Sequence, residues 1–286
     1  MTNRRDFLKS ATALAAGSFI IPSFISGKVP PKEIGLQLYT VRDQLKSDLK
    51  GTLEQVAEIG YNSLEAAGYD LKERTFYGMA PSEFATLTKS LGMKLRSTHT
   101  SFDPDVADKV CEDAANAGVE YIIYPYLSDQ YRKDLDGYKA TADRFNRLGD
   151  LAKKHGLKFG YHNHAFEFDS MDGEIPYDIL LSETDPSCVV FEVDLYWMTR
   201  AGYDPVEYFH KNPGRFALWH VKDMTKTDDL FFAPVGTGRI DFKKIFEDRK
   251  ISGMNYFFVE QDRTKGMDPL KSIEISYKYL NSAKFV

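Results

Sequence analysis

From Glu33 to the C-terminus the chain alternates between two hydrophobic periods. Stretches with an apolar residue every third or fourth position, as on a helix with one buried face, end in a glycine. Two or three residues later a short run rich in β-branched and aromatic residues begins. Gly60 precedes NSLEAAG, Gly92 precedes KLRSTHT, Gly118 precedes YIIYPYL, Gly156 precedes KFGYHNH, Gly214 precedes FALWHVKD and Gly253 precedes YFFVEQD. Glycine just past a helix accepts the left-handed conformation that turns the chain back toward a strand. IGLQLY at 34–39 and CVVFEVD at 188–194, introduced by Pro186, bring the strand candidates to eight. Helical patterns lie between them over 49–59, 81–91, 105–117, 137–155, 177–182, 205–210, 242–249 and 270–281. Eight alternating strand and helix units in 286 residues have the count and length of an α/β fold of the (β/α)8 TIM barrel type. No linker or change of composition divides them, so a single domain over 28–286 is expected. The rival, an open doubly wound sheet, usually carries a glycine-rich phosphate turn after its first strand, and Leu38-Tyr39-Thr40-Val41-Arg42 is not one.

Ahead of the barrel pattern, MTNRRDFLKS is followed by the apolar run ATALAAGSFIIPSFI, which Gly17 and Pro22 interrupt. A charged segment before a short apolar one reads as an export signal over residues 1–27, and the run is too short and broken for a comfortable membrane span. Arg4 and Arg5, followed by Asp6, Phe7, Leu8 and Lys9, resemble the twin-arginine consensus, which implies export of a folded protein. The expected location is the periplasm, or the membrane face if the leader is kept as an anchor. With 37 Lys+Arg against 42 Asp+Glu the chain carries −5; the leader holds three cations and one anion, so its removal leaves −7. Such a charge offers no field for a phosphate backbone or an anionic membrane, which counts against nucleic acid as a partner. Cys111 and Cys188 stand alone and read as small buried apolar side chains.

The C-terminal ends of the strand candidates carry residues that a strand does not need. They are Glu65, His99, the His162-Asn163-His164 run with Glu167 just after, Asp194, His220 with Lys222, and Glu260. Four of the six histidines sit at such ends. Alternate residues of a barrel strand face the axis, and the C-terminal mouth is where barrel active sites are built. Glu192 with Asp194, His220 with Lys222, and Phe258 with Glu260 share faces. Two Glu, one Asp and one His around one axis repel each other unless protons or a divalent cation neutralise them. An oxygen-rich set with one imidazole suits Mn2+ first, then Mg2+, Co2+ or Zn2+. Glu192 is also compatible with a structural pairing to a lysine or arginine, and His155 and His210, in last helical turns, are assigned no chemistry.

At these residues the sequence resembles the xylose isomerase-like TIM barrels. This sugar isomerase/epimerase superfamily includes inosose dehydratases and DNA repair enzymes of the endonuclease-IV type. The resemblance runs from IGLQLYTVRD through GYNSLE, STHTSF, YHNHAFEF, FEVDLYW, LWHVKD and GTGRIDF to FFVEQD. It implies a divalent metal held by a strand-five Glu together with Asp194, His220 and Glu260. Many relatives have Glu-x-His where this chain has His162-Asn163-His164, so either Glu167 supplies the carboxylate, the preferred assignment, or His162 replaces it. Glu260 and Glu167 would then be the acid/base pair, with His164 and Lys222 near enough to move protons or polarise a carbonyl. Tyr39, Glu65, His99, His162, Trp197 and Arg239 are expected to bind substrate.

The leading functional reading is a metal-dependent isomerase or epimerase of a sugar or keto-sugar, acting through an enediolate. The alternative uses the same enediolate and expels a β-substituent, making the protein a lyase or hydratase of 3-keto-sugars or inosose-like polyols. A third is a non-catalytic exported carbohydrate-binding barrel, against which the intact acid set argues. DNA repair would need a basic groove, which the charge does not provide. A homo-oligomer is compatible with the sequence, which does not fix an oligomeric state.

Overall fold

All eight apolar runs become strands of one closed barrel in the computed structural model, which describes residues 32–286. The strands are β1 (Gly35–Gln37), β2 (Ser63–Ala66), β3 (Lys94–His99), β4 (Tyr121–Tyr124), β5 (Lys158–His162), β6 (Val189–Asp194), β7 (Leu218–Val221) and β8 (Tyr256–Val259). Every barrel pairing is parallel and follows chain order, and β1 closes on β8 with Gly35 beside Phe258. Lys32–Val286 is one compact unit; the leader expected over 1–27 lies outside the described residues. No helix among the described residues is long and apolar enough to cross a membrane.

Local chemistry sets the helix ends. Asp48 caps Leu49–Ile59 by accepting the Gly51 N–H at 2.9 Å, and prolines stand in the first turns of Pro81–Ser90, Pro176–Glu183, Pro205–Lys211 and Pro269–Ser282, where a missing N–H costs nothing. The six glycines that precede strands all have positive φ. At Gly253, φ is 84° and a Cβ would sit 2.8 Å from the Gly214 Cα, so both backbone conformation and close approach of the β6–β7 connection demand glycine. Leu135–Lys154, the longest helix among the described residues, buries Tyr138, Ala142, Phe145, Leu148 and Ala152 at helical spacing. A side chain such as Phe145, fully buried, stabilises the fold by roughly 1.5–3 kcal/mol.

The apolar core has two parts. The larger lies between the barrel wall and the helices. The smaller plugs the barrel interior with Tyr121, Ile123, Ala217, Leu218 and Phe258; a Cβ at Gly35 would stand 2.4 Å from the Phe258 ring, so that glycine makes room for it. Above this plug the inward residues become polar.

Some elements lay beyond the sequence pattern. The run ending in Asp194 passes straight into a helix, Leu195–Arg200, before Pro205–Lys211, and the helix expected over 242–249 divides into Phe242–Glu247 and Arg249–Ser252. Two small hairpins, Tyr69–Asp70 with Thr75–Phe76 and Asp223–Met224 with Phe232–Ala233, decorate the barrel. Two-residue strands hold too few positions for a period to register.

Candidate active site

Period-two alternation carries Glu65, His99, His162, Glu192, Asp194, His220, Lys222 and Glu260 to the axis from six of the eight strands. The pairing of β2 with β3 slips by one residue after Leu64, so Glu65 stands beside Ser97, and His99 follows two residues on. Such an irregularity re-aims side chains near a site. Asp194 ends β6 and also caps the next helix: its Oδ1 accepts the Trp197 N–H at 2.9 Å. That bond fixes the carboxylate, leaving Oδ2 for the site. Asn163 ties β5 to β6, its Oδ1 accepting the Asp194 N–H at 3.0 Å.

Two overlapping groups emerge. His162, Asp194, His220 and Glu260 each offer one donor atom, and the four lie within 4.8 Å of one another. His162 Nε2 is 3.6 Å from Asp194 Oδ2, and His220 Nδ1 is 2.7 Å from Glu260 Oε2. The opposite ring nitrogens face a deeper pair of acids. His162 Nδ1 lies 3.1 Å from Glu192 Oε2 and His220 Nε2 lies 2.5 Å from Glu65 Oε2, while His99 Nε2 is 2.6 Å from Glu192 Oε2. A metal-binding imidazole held through its second nitrogen by a carboxylate is the usual way its orientation is fixed. Glu192 therefore pairs with histidines, not with a lysine or arginine.

Lys222 Nζ lies 2.8 Å from Asp194 Oδ2, 2.5 Å from Glu260 Oε2 and 2.9 Å from Asp262 Oδ1. Burial opposes its charge, but Asp194, Asp262 and Glu260 outweigh burial and hold its pKa well above the ordinary lysine value. His220 is likewise raised, burial being overcome by Glu192, Glu260 and Glu65. Burial, with Lys222 adding repulsion, lowers His164 to about 3 and so keeps it neutral. Burial pushes Glu192 up to about 7 and Asp262 to about 6.

These residues fit a divalent cation. Asp194, Glu260 and Asp262 converge on one lysine, and Glu65 and Glu192 on the histidines beside it. The buried Oδ2 of Asp194 faces both Lys222 Nζ, at 2.8 Å, and His162 Nε2, at 3.6 Å. Two carboxylates and two imidazoles around a common point form a donor set for a borderline or hard ion.

Several expected residues occupy other places. Glu167 is fully buried away from the four-donor group; its carboxylate accepts the His164 N–H at 2.9 Å and the Tyr161 hydroxyl. The 3-10 turn Phe166–Phe168 curls Glu167 back beneath its own loop, so His162 takes the strand-five position in the donor group. Glu65 lies below the histidines as a partner of His220, not in the cavity wall. Arg239 is exposed outside the cavity, because its loop folds against Asp223, which accepts the N–H groups of Gly236, Gly238 and Ile240. Tyr39, His99, His162, His164, Trp197, Lys222 and Glu260 do line a cavity of about 830 Å³ at the strand C-termini. That cavity adds Asp262 and Tyr126. Asp262 continues the inward period of Phe258 and Glu260, a signal legible in FFVEQD; Tyr126 lies past its strand, where no period reaches it.

A closed parallel barrel with metal-competent acids and imidazoles at its C-terminal mouth defines the class. The chain belongs to the xylose isomerase-like TIM barrel family, whose sequence pattern matches residues 53–283. It is similar to an inosose dehydratase of Clostridium perfringens, 29% identical over 176 residues, covering 54% of this chain and 58% of that protein. The chain thus spans about half the length of the curated relatives it matches. Among solved structures, a sugar phosphate isomerase/epimerase from Parabacteroides distasonis is 28% identical with a TM-score of 0.83, covering 91% of this chain and 97% of the other. The protein IOLI with a bound zinc atom shares the fold, at 17% identity and a TM-score of 0.68, covering 87% of this chain and 96% of the other.

Proposed function

We propose that this protein is a divalent-metal-dependent lyase that eliminates water from a keto-sugar or keto-polyol, the alternative rather than the leading reading of its sequence. The observation that carries the proposal is the meeting, in one cavity, of a fixed cation and an uncommitted imidazole: Lys222 is held charged by three carboxylates, and His164 Nδ1 has no hydrogen-bond partner among the described residues. Similarity to inosose dehydratases supports the same direction. Elimination needs a group to remove the proton beside a carbonyl and a route for it to the departing oxygen. His164 removes the proton and passes it to the leaving hydroxyl. The C–H and C–O bonds break, a C=C bond forms beside the carbonyl and water departs. Lys222 stabilises the negative charge that gathers on the carbonyl oxygen.

His162, Asp194, His220 and Glu260 would hold the cation, which supplies Lewis acidity toward a carbonyl oxygen. With a second imidazole in the set, Mn2+, Co2+ and Zn2+ fit better than Mg2+. The test is to incubate metal-loaded protein with inososes and 3-keto-sugars in D2O and to follow enone absorbance together with deuterium incorporation. Enone formation is expected. Deuterium washed into recovered substrate without water loss would move the assignment to epimerase, the reading that similarity to the Parabacteroides protein favours. Absence of metal-dependent exchange with every compound would leave only carbohydrate binding.

Residues 1–27 are proposed as a twin-arginine leader placing the enzyme in the periplasm. A reporter that folds before translocation, fused behind residues 1–30, should be exported, and replacing Arg4 and Arg5 together by lysine should stop it.

A further inference from the structure

We infer that the outer half of the cavity is a subsite for a second sugar ring, so that the substrate is a neutral two-ring glycoside. The inference rests on the reading of the inner half as a keto-sugar site. Its first support is size. A six-carbon sugar has about 12 non-hydrogen atoms, and granting each the ~30 Å³ of a liquid water gives about 360 Å³ as an upper limit. The cavity holds about 830 Å³, more than twice that.

The second support is the division of the wall. His162, Lys222 and Glu260 are buried parts of the wall, while Tyr39, Tyr126, Trp197 and Phe232 contribute broad aromatic surface to the same cavity, Tyr126 and Trp197 standing 5.1 and 5.5 Å from the His164 ring. Tyr39 and Tyr126 are 43% and 45% exposed, two of the four exposed large hydrophobic residues among those described. They follow β1 and β4, three places apart in a ring of eight, and so stand on widely separated sides of the mouth. Each is braced by an arginine. The Arg42 guanidinium lies 4.1 Å from the Tyr39 ring centroid, and Arg132 donates to the Tyr126 hydroxyl at 3.0 Å. Exposed aromatic rings held in place suit the C–H faces of a pyranose, and holding them in advance lowers the entropy cost of binding.

The third support is charge. Arg42 donates to the carbonyls of Tyr39 and Asp262 at 2.8 and 3.0 Å, and Arg200 donates to Leu230 O at 2.7 Å. Asp229 in the same wall is paired with Lys265 at 2.7 Å. These contacts hold the groups within the protein, and the lining mixes both signs, Arg42, Arg200, Lys222 and Arg263 beside Asp229, Glu260 and Asp262. Hydroxyl-rich neutral rings match the lining.

The test measures binding of glucose, maltose and cellobiose to the metal-loaded protein by calorimetry and saturation-transfer NMR, neither of which needs turnover. At least one disaccharide should bind about tenfold tighter than glucose. Tyr126→Ala, and separately Tyr39→Ala, should weaken disaccharide binding at least about fivefold more than they weaken glucose binding. The subsite is overturned if both disaccharides bind no tighter than glucose, if none of the sugars binds, or if the variants weaken glucose equally. Failure to detect elimination with any keto-sugar would remove the lyase reading but leave a disaccharide preference standing. Elimination from a keto-monosaccharide, with no added affinity for a two-ring sugar, would leave the lyase and remove the subsite.

Discussion

Replacing His162 by Gln, beside the matched change Glu167→Gln, separates two accounts of the strand-five ligand. His162 belongs to the group of four donors, its Nε2 3.6 Å from Asp194 Oδ2 and its Nδ1 3.1 Å from Glu192. Gln at this position withdraws a ring nitrogen from the cation and also leaves Glu192 one partner short. Loss of a supporting partner alone typically costs 10–100-fold in metal affinity, so loss of the ligand with it should cost about 100–1000-fold, or about 2.7–4.1 kcal/mol. Glu167→Gln is different. The amide oxygen can still accept the His164 N–H and the amide nitrogen can turn to the Tyr161 oxygen, so the loop keeps its bonds and no donor leaves the cation. Its metal affinity should change by less than about threefold. Competition with a chromophoric chelator measures both variants, and circular dichroism checks that each barrel is intact. A folded Glu167→Gln protein that loses its metal, beside a His162→Gln protein that keeps it, would refute the reasoning and return the ligand role to Glu167.

Lys222→Met and His164→Asn should each slow turnover by about 10² to 10⁴ while the metal stays bound, since neither supplies a metal donor; parallel metal analysis and kinetics decide it. Burial raises the Glu167 pKa from 4.5 to about 8, so the folded state holds a proton that the unfolded state has released. Its stabilisation is present below 4.5 and is lost as pH rises toward 8; denaturant titrations should show this slope in wild type and a shallower one in Glu167→Gln. The Cys111 thiol is pushed up to about 12 by burial, so iodoacetamide at pH 8 should leave it unmodified until the barrel unfolds. Asp223→Ala strips acceptors from Gly236, Gly238 and Ile240 and should destabilise by about 2–4 kcal/mol, visible as a lower Tm.

The barrel was legible because its evidence is repeated. Eight apolar runs, and a left-handed glycine before six of them, point to the same architecture, and an error of one or two residues at any end leaves the count unchanged. The inward faces of Asp194, His220 and Glu260 followed from strand periodicity for the same reason. The period ends where the strand ends, and beyond it the sequence no longer says where a side chain lies. Glu167 lies five residues past His162 in a 3-10 turn, whose direction depends on a bond to Tyr161 that no local pattern announces. Arg239 sits beside a conspicuous glycine pair, yet Asp223, sixteen residues earlier in sequence, decides which way that loop folds. Glu192 was recognised as inward, but its histidine partners come from three other strands, a long-range arrangement invisible along the chain.

The two ends of the barrel are closed by different forces. At the floor, Tyr121, Ile123, Ala217, Leu218 and Phe258 exclude water without a charge among them. At the mouth, ion pairs and imidazole–carboxylate bonds tie residues from six strands together, and Glu260 stays ionised because Lys222 and His220 overcome its burial. Protonation attacks only the second kind of closure: stability drawn from a depressed carboxylate vanishes as pH falls through its folded pKa, whereas apolar contacts are indifferent to protons. Because the Glu260 carboxyl is held well below the usual carboxylate range, only strong acid should loosen the rim while the floor stays shut, giving a barrel that opens like a cup. Amides near the mouth would then exchange with solvent before those near Phe258.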